Sequence, residues 1–212
     1  MSIFHFPTEF VYWDTVEKHE EIKKKLLPII LQENAKTKNN PFDTCRFNTS
    51  MYTNQEKNAI KNNFLLRDKK LLDSIVFKNI DNMLNKFSLT RNQNNEFCVI
   101  SGWWNVYNEN EHQEEHSHLA PPIPINKKLF YPSLSVIYIL HDENEKSSVI
   151  FRKDGPIPLI EPHRDCIFKT EEKKEIKEGT ILIFPSNLRH LVKPCIKPGR
   201  ITIAYNIYSA FE

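Results

Sequence analysis

The spacing of hydrophobic residues divides the chain into a helical part followed by a strand-rich part. Apolar residues recur every three or four positions between residues 22 and 30 and again between residues 71 and 87, a period that predicts two amphipathic helices. Residues 3–12 alternate loosely and carry aromatic side chains, which favours a short strand before the first helix. From Phe97 onward the period shortens to two, as in strands.

Particular residues mark the expected ends of the two helices. Thr15 is placed to cap the first helix and Asp68 the second, because short polar side chains bond the free N–H groups of a first helical turn. Pro28 lies within the first apolar stripe and is expected to kink or end that helix, since it lacks a backbone N–H and its ring crowds the preceding turn.

Short runs rich in β-branched and aromatic residues follow one another through the second half of the chain. Pro, Gly, Asn and Asp separate them, as turns between strands require. The runs are FCVISGWWNVY, SLSVIYILH, SSVIFRK, GTILIFPS, HLVKP and RITIAYNIYS. Strands in this number without intervening helices indicate a sandwich or a barrel, which the N-terminal helices would buttress within one cooperative domain.

Composition narrows the class of protein. Hydrophobic residues make up 40% of the 212 residues and aromatic residues 11%, which is enough for a packed globular domain. The net charge of +2 is too small to argue for nucleic-acid binding. No run approaches the ~20 apolar residues of a membrane helix, and the four cysteines form no C-x-x-C pair. A soluble cytoplasmic protein with reduced thiols is expected.

The stretch NENEHQEEHSHLAPP, residues 108–122, concentrates the candidate metal ligands and admits two interpretations. His112, Glu115 and His116 fit the H-x-x-E-H pattern of a zinc protease, which needs residues i and i+4 on one face of a helix. However, the flanking residues offer no apolar stripe to anchor such a helix, and two prolines follow at once.

The alternative places His116 and His118 on a strand. Residues i and i+2 of a strand share a face and lie about 7 Å apart, so their imidazoles can converge on one cation. A third ligand must then come from another strand, and His190 opens the run HLVKP. Each signal alone is weak, because surface histidine pairs are common and a lone downstream histidine is more often structural.

The strand that begins at Arg200 has one polar face. Pro198 and Gly199 reverse the chain, so this strand can run back beside that of His190. The face comprises polar or small residues: Arg200, Thr202, Ala204 and Asn206. Such a face suits the lumen of a small barrel that binds an anion, because a buried guanidinium needs a partner and a carboxylate fits it bidentately. A surface salt bridge is the alternative for the arginine.

Taken in order, these pieces resemble the 2-oxoglutarate- and iron(II)-dependent oxygenases, and more narrowly the branch related to prolyl 4-hydroxylases. The pieces are FPTEFVY, GWWNVY, HQEEHSH, SLSVIYIL, EGTILIFPSNLRHLVKP and RITIAYNI, and they span most of the chain. The resemblance implies a mainly β fold with N-terminal helices, namely a double-stranded β-helix or cupin-like jelly-roll barrel buttressed by helices. Residues 1–212 would form a single oxygenase-like domain. Within it, residues 1–95 would be mostly helical support with a short N-terminal strand, and residues 96–212 the jelly-roll core.

The resemblance also implies roles for individual residues. Fe(II) would be held by His116, His118 and His190. The 2-oxoglutarate pocket would comprise Arg200, Tyr138, Thr202 and Asn105, with Arg200 on the distal carboxylate. A substrate cleft would be lined by Trp103, Trp104 and Tyr107, although aromatic residues on a strand are more often part of a core.

Two features depart from the oxygenase pattern. The usual triad has a carboxylate where this chain has His118, which leaves open whether Glu115 or Glu114 replaces it as a ligand. The Pro-rich insert of residues 119–134 is longer than expected, and we interpret it as a lid or substrate loop. A stiff surface loop without a role is the alternative for the insert.

The function implied is oxygenation that uses O2 and 2-oxoglutarate to hydroxylate a peptide residue, with proline favoured, or a small metabolite. Two other functions stay open on the residues alone. One is a three-histidine cupin-like metal enzyme that does not use 2-oxoglutarate, and the other is a non-catalytic jelly-roll binding module. No membrane or nucleic-acid partner is expected.

Overall fold

Two antiparallel sheets face each other in the computed structural model, which describes residues 9–37, 47–51, 63–87, 96–143, 148–153 and 167–210. The described strands are β1 (Tyr12–Thr15), β2 (Asn48–Thr49), β3 (Glu96–Tyr107), β4 (Gln113–His116), β5 (Ile123–Ile125), β6 (Lys128–His141), β7 (Val149–Arg152), β8 (Ile167–Lys169), β9 (Thr180–Pro185), β10 (Arg189–Val192) and β11 (Arg200–Ala210). Within these ranges the larger sheet has the order β1-β9-β6-β11-β3-β2, with β5 paired to β6. The smaller sheet has the order β4-β10-β7-β8.

The N-terminal helices cover the outer face of the larger sheet. In chain order the described helices are α1 (His19–Asn34), α2 (Phe64–Arg67), α3 (Lys69–Leu72), a π-helical turn (Asp73–Phe77) and α4 (Lys78–Lys86). Their apolar stripes form one core with the outward side chains of β6 and β11, which include Val136, Ile203 and Tyr205. The two amphipathic stripes predicted from the sequence therefore do pack, as helices, against a sheet.

The ends of the helices agree only in part with expectation. Asp68 caps α3, since its Oδ1 accepts a hydrogen bond from the Leu71 N–H at 3.1 Å. Thr15 does not cap α1, because it is the last residue of β1 and the helix begins at His19. Pro28 does not end α1, which continues to Asn34. A proline inside a helix costs about 3 kcal/mol. The burial of Leu26 and Ile30 on either side of Pro28 offsets this cost.

The inner faces of the two sheets enclose a second core, which surrounds the predicted site. The larger sheet contributes Ile137, Ile139 and Leu182, and the smaller sheet contributes Val149 and Phe151. On β11 the alternation predicted from the sequence holds: Ile203 lies in the helix-side core, whereas Ala204 lines the space between the sheets.

The insert of residues 119–134 forms a hairpin that extends the larger sheet. Strand β5 pairs with the beginning of β6 through a turn at Asn126 and Lys127, both of which have positive φ. Ile123 and Ile125 pack against a small cluster of buried residues on the neighbouring strands: Phe130, Tyr208 and Ala210. The hydrogen-bonded ladder makes residues 123–134 part of the sheet, and the role of the insert as a lid or substrate loop stays a prediction.

Several sequence predictions fall wholly or partly on residues outside the described ranges. Most of residues 3–12 and the thiols Cys45 and Cys166 are among them, whereas Cys98 and Cys195 are described and are free thiols. The N-terminal segment nevertheless supplies β1 and β2 to the larger sheet. Within the described ranges, none of the helices combines the length and the hydropathy that crossing a membrane demands.

Candidate metal centre

Three histidines meet at the inner face of the smaller sheet. His116 on β4 pairs directly with His190 on β10. His118 follows β4, and its backbone N–H donates to the Ser186 carbonyl at 2.8 Å. A shift of register between β4 and β10 places Gln113 opposite Val192, so β4 contains one extra residue. This bulge turns both Gln113 and His116 toward the interior, whereas three-residue spacing on a regular strand would put them on opposite faces.

The hydrogen bonds of the three rings fix which nitrogen is free. Each ring directs Nδ1 at an oxygen: His116 at the Glu114 carbonyl (2.8 Å), His118 at Asn206 Oδ1 (2.7 Å) and His190 at the Leu188 carbonyl (3.1 Å). Because these oxygens only accept, each Nδ1 carries the proton and each Nε2 keeps its lone pair. Carbonyl and amide oxygens are the partners that orient metal-bound histidines.

The free nitrogens converge. The ligand atoms of His116, His118 and His190 all lie within 4.8 Å of one another, and the Nε2 atoms of His116 and His118 are 3.3 Å apart. Ligands at right angles on an ion at about 2.1 Å would be about 3 Å apart. The three ring centroids are separated by 4.2–5.2 Å. The geometry therefore fits three ligands on one side of a single cation.

Burial keeps these rings neutral, which is the form that binds metal. Burial lowers the pKa of His116 and, more strongly, that of His190, and it lowers the pKa of His118 to about 4 with a further contribution from the nearby His116. No proton has to leave an imidazole at neutral pH before a cation can bind.

The neighbouring carboxylates point away from the histidines. Glu115 forms ion pairs with Arg152 Nη1 at 3.0 Å and Arg189 Nε at 2.8 Å, on the outer surface of the sheet. Glu114 is exposed. These positions favour His118 over a glutamate as the third ligand. Residues 113–116 form a strand, so the helical protease interpretation is wrong.

Arg200 lies in the same lumen as the histidines. Its side chain is 2% exposed, and Thr202 and Ala204 follow it along the inner face of β11. The guanidinium carbon is 5.3 Å from the centre of the Tyr107 ring, a cation–π contact. The lumen is lined by the three histidines together with Arg200, Thr202, Asn105, Tyr107, Trp103 and Gln113.

Polar groups connect the histidine end of the lumen to the arginine end. The Tyr107 hydroxyl donates to Gln113 Oε1 at 3.1 Å, and Gln113 Nε2 lies 3.2 Å from His116 Nε2. Burial raises the pKa of Tyr107, so its hydroxyl stays protonated and able to donate. Asn105 donates from Nδ2 to Thr202 Oγ1 at 3.4 Å, while its buried Oδ1 has no hydrogen-bond partner among the described residues.

Two predicted site residues lie on the wrong face. Tyr138 points into the helix-side core, where its hydroxyl lies 2.6 Å from His19 Nδ1, because its neighbours Ile137 and Ile139 occupy the inner face of β6. Trp104 likewise points outward, and its indole N–H donates to Glu33 Oε2 at 2.9 Å. The predictions that Tyr138 binds a co-substrate and that Trp104 lines a substrate cleft are therefore wrong.

The other predicted residues do reach the lumen, and one further residue joins them. Trp103 lies against His118 with ring centres 5.6 Å apart. Tyr107, predicted as a substrate contact, instead lies beside Arg200. Sequence reasoning missed Gln113, since only the bulge in β4 brings it to the inner face.

Comparison with solved structures identifies the fold. HygX from Streptomyces hygroscopicus, with nickel and 2-oxoglutarate bound, has a TM-score of 0.57 at 10% identity, over 94% of this chain and 83% of that one. A truncated viral collagen prolyl hydroxylase from Paramecium Bursaria Chlorella virus-1 has a TM-score of 0.51 at 12% identity, over 100% of this chain and 97% of that one. A Pseudomonas putida prolyl-4-hydroxylase has a TM-score of 0.50 at 12% identity, over 95% and 92%.

No protein-family model matches the sequence, and neither does any curated protein. At identities of 10–12% the structural likeness shows the fold alone. The predicted mainly β fold with N-terminal helices is confirmed. The chain has the double-stranded β-helix fold of the 2-oxoglutarate- and Fe(II)-dependent oxygenases.

Proposed function

We propose that this protein is an Fe(II)- and 2-oxoglutarate-dependent oxygenase that hydroxylates a C–H bond of its substrate. The observation that carries the proposal is the arrangement of the lumen, in which three neutral imidazoles converge and a buried arginine shares the same cavity. Neither feature alone is specific, because imidazoles suit several transition metals and buried arginines bind many anions.

The donor set fits iron. His116, His118 and His190 each offer an Nε2 lone pair, and imidazole is a ligand that suits Fe, Zn, Cu and Ni. Three ligands leave further coordination positions for a chelating co-substrate and for O2. When bound, Fe(II) would supply the activation of O2, coupled to the oxidative decarboxylation of 2-oxoglutarate to succinate. Three histidines carry no charge, so the negative charge that balances Fe(II) would come from the dianionic co-substrate.

The arginine end of the lumen fits a carboxylate. The Arg200 guanidinium offers the bidentate geometry that carboxylates prefer, and the Tyr107 ring supports it from one side. Asn105 offers a second donor: if its amide ends are exchanged, Oδ1 accepts from the Thr202 hydroxyl and the NH2 group faces the ligand. Between the histidine end and the arginine end, the lumen is lined by Ile137, Val149 and Val192, whose apolar side chains exclude water.

The protein's own residues thus bind and orient rather than transfer protons. Asn206 and two backbone carbonyls hold the imidazoles, and Arg200 holds the far end of the co-substrate. The substrate is proposed to be a peptide residue or a small metabolite. Two structural neighbours are named as prolyl hydroxylases, but their sequence identity to this chain is too low to favour proline as its substrate.

Anaerobic titration with Fe(II) and 2-oxoglutarate tests the proposal. The wild type should develop the weak visible charge-transfer band of the chelated co-substrate. Arg200→Ala should retain iron but bind 2-oxoglutarate about 100-fold more weakly, because it loses charge-assisted hydrogen bonds worth about 1.5–3 kcal/mol each. Arg152→Ala is the matched control, since Arg152 pairs with Glu115 on the outer surface and should leave the titration unchanged.

Two outcomes would contradict the proposal. Iron binding without 2-oxoglutarate binding, with another substrate oxidised, would indicate the three-histidine enzyme that does not use 2-oxoglutarate. Failure of the wild type to bind iron, with no effect of His116→Ala, would indicate a non-catalytic binding module. Release of succinate coupled to consumption of 2-oxoglutarate separates the proposed activity from both.

A further inference from the structure

A second cavity, here called the seam pocket, opens between the edge strands of the two sheets. Among the described strands, β1 is the last of the larger sheet and β8 the last of the smaller one, and the cavity between them has a volume of ≈ 340 Å³. This volume lies within the range of about 300–1,000 Å³ that is usual for small-molecule sites. The pocket shares no lining residue with the lumen that contains the histidines.

Aromatic side chains from both sheets form the walls of the seam pocket. Trp13 of β1 and Phe168 of β8 stack with ring centres 5.4 Å apart and an interplanar angle of 27°. The ring of Phe151 on β7 lies next to that of Phe168, with ring centres 6.1 Å apart. Phe151 and Phe10 also line the pocket. Such walls suit a flat aromatic ring, because offset-stacked and edge-to-face contacts are both available.

The charged residues of the seam pocket are mostly basic. Lys153 and Lys173 line it beside one carboxylate, that of Glu9. The Lys173 ammonium lies 6.0 Å from the centre of the Phe168 ring, so its charge is placed next to the aromatic wall. Two ammonium groups against one carboxylate leave a net positive charge that attracts an anion.

The seam pocket also touches the residues that position one candidate metal ligand. Phe151 stacks on the His190 ring with centres 5.6 Å apart and an interplanar angle of 30°. Leu188, another lining residue, provides the carbonyl that accepts the His190 Nδ1 hydrogen bond. A ligand in the pocket would therefore contact both supports of His190.

We propose that the seam pocket binds a small aromatic molecule that carries an anionic group. The ring packs against the aromatic wall that Trp13 and Phe168 form with Phe151 behind them, and the anion pairs with Lys153 and Lys173. The pocket is separate from the lumen and is coupled to the candidate metal centre through Phe151 and Leu188, which contact His190. The coupling to the metal centre rests on the proposed function, whereas the binding itself does not.

A pair of dyes that differ in charge tests the binding on the metal-free protein. 1-Anilinonaphthalene-8-sulfonate is an anion, and N-phenyl-1-naphthylamine is a neutral molecule with the same rings. The sulfonate should bind more tightly to the wild type, and the double change Lys153→Gln, Lys173→Gln should weaken it about five- to tenfold, to the level of the neutral dye. Phe168→Leu should weaken both dyes, because it removes the stacking surface.

Lys128→Gln is the matched control, since Lys128 lies on the β5–β6 hairpin and pairs with Glu96. Equal affinity of the two dyes for the wild type would overturn the proposal. So would an unchanged affinity of the sulfonate in the double-lysine variant, or in both Phe168→Leu and a Trp13→Leu variant that folds. Circular dichroism establishes that each variant is folded.

The coupling to the metal centre has a separate readout. In the Co(II)-loaded protein, the sulfonate should alter the visible d–d spectrum of the metal, because it presses on Phe151 and Leu188 behind His190. Phe168→Leu should abolish the change. Dye binding without any spectral change would overturn the coupling to the metal site while the binding site stands. Failure of the protein to bind 2-oxoglutarate would overturn the proposed oxygenase without affecting the dye result.

Discussion

Gln113 connects the histidines to the arginine end of the lumen through two hydrogen bonds. Its amide oxygen accepts from Tyr107, and its amide nitrogen lies 3.2 Å from the His116 Nε2 that a metal would use. A cation and the amide N–H cannot both use the same lone pair. Metal binding therefore requires the Gln113 amide to leave His116, and this residue opposes the binding of the cation.

Gln113→Ala is accordingly expected to tighten metal binding. A net intramolecular hydrogen bond is worth about 0.5–1.5 kcal/mol, which corresponds to a roughly 2- to 10-fold lower Kd for Ni(II) or Co(II). Competition with a chelator measures the change. Gln113→Glu should tighten binding further, because it adds a negative charge beside the cation. Weaker binding by Gln113→Ala would show instead that the amide supports the metal site.

At the scale of single residues, the sequence predicts which side chains face inward wherever a strand alternates cleanly. The strand RITIAYNIYS has small or polar residues on one face, and of these Arg200 and Thr202 line the lumen while Asn206 bonds His118. Tyr138 lies on the face opposite to the predicted one because the middle of its strand is apolar on both faces, which gives no signal of which face is inward. For Trp104 the sequence does contain a signal, since it alternates with Asn105, which lines the lumen. Gln113 was missed because a bulge cannot be inferred from spacing.

At the scale of elements, Glu178 ties α1 to the larger sheet. Its carboxylate accepts hydrogen bonds from the side chains of Lys23 on α1 and His141 on β6, and from the Asp142 N–H. Burial alone would raise the pKa of Glu178, but these bonds together with one from His19 outweigh it and lower the pKa to about 2. The carboxylate is therefore more acidic in the folded chain than in the unfolded chain.

Glu178→Gln is expected to change how the free energy of unfolding depends on pH below pH 4.5. A carboxyl with a depressed folded pKa stabilises the fold above its ordinary pKa of 4.5, and that contribution is lost as the pH falls from 4.5 toward about 2. The variant should be less stable at pH 7 by about 1–2 kcal/mol after allowance for solvent screening, and its stability should fall less between pH 4.5 and pH 2. Chemical unfolding at a series of pH values measures both effects. An equal loss of stability between pH 4.5 and pH 2 in the wild type and the variant would contradict the lowered pKa of Glu178.

The longer elements were predictable from the sequence pattern, whereas the short strands and the connections were not. The strand runs and the second helical stripe all became elements, and Asp68 caps a helix as expected. The resemblance implies a lid or substrate loop at residues 119–134, and residues 123–130 of this insert form a hairpin around Asn126 and Lys127. Pro28 does not end its helix, because the burial of its helical neighbours is a tertiary effect that local propensity does not contain.

At the scale of the whole molecule, the candidate metal centre joins the two sheets. His116 and His190 lie on the smaller sheet, while His118 is held by Asn206 on the larger one. Ring contacts extend the junction, since His190 also packs on Phe184 of the larger sheet at 4.8 Å. An ion bound to all three rings would therefore resist the separation of the sheets that unfolding requires.

Metal binding should for this reason raise the thermal stability of the whole protein. A ligand that binds only the folded state adds about 2.7 kcal/mol at a free concentration of 100 times Kd. For a chain of this size that corresponds to an increase in Tm of roughly 5–10 °C, measured by calorimetry with Ni(II) and reversed by a chelator. His190→Ala should abolish the increase, and His112→Ala should retain it because His112 is not among the converging rings. An equal increase in His190→Ala would mean that the ion binds elsewhere, and the metal centre would then have to be sought outside these three histidines.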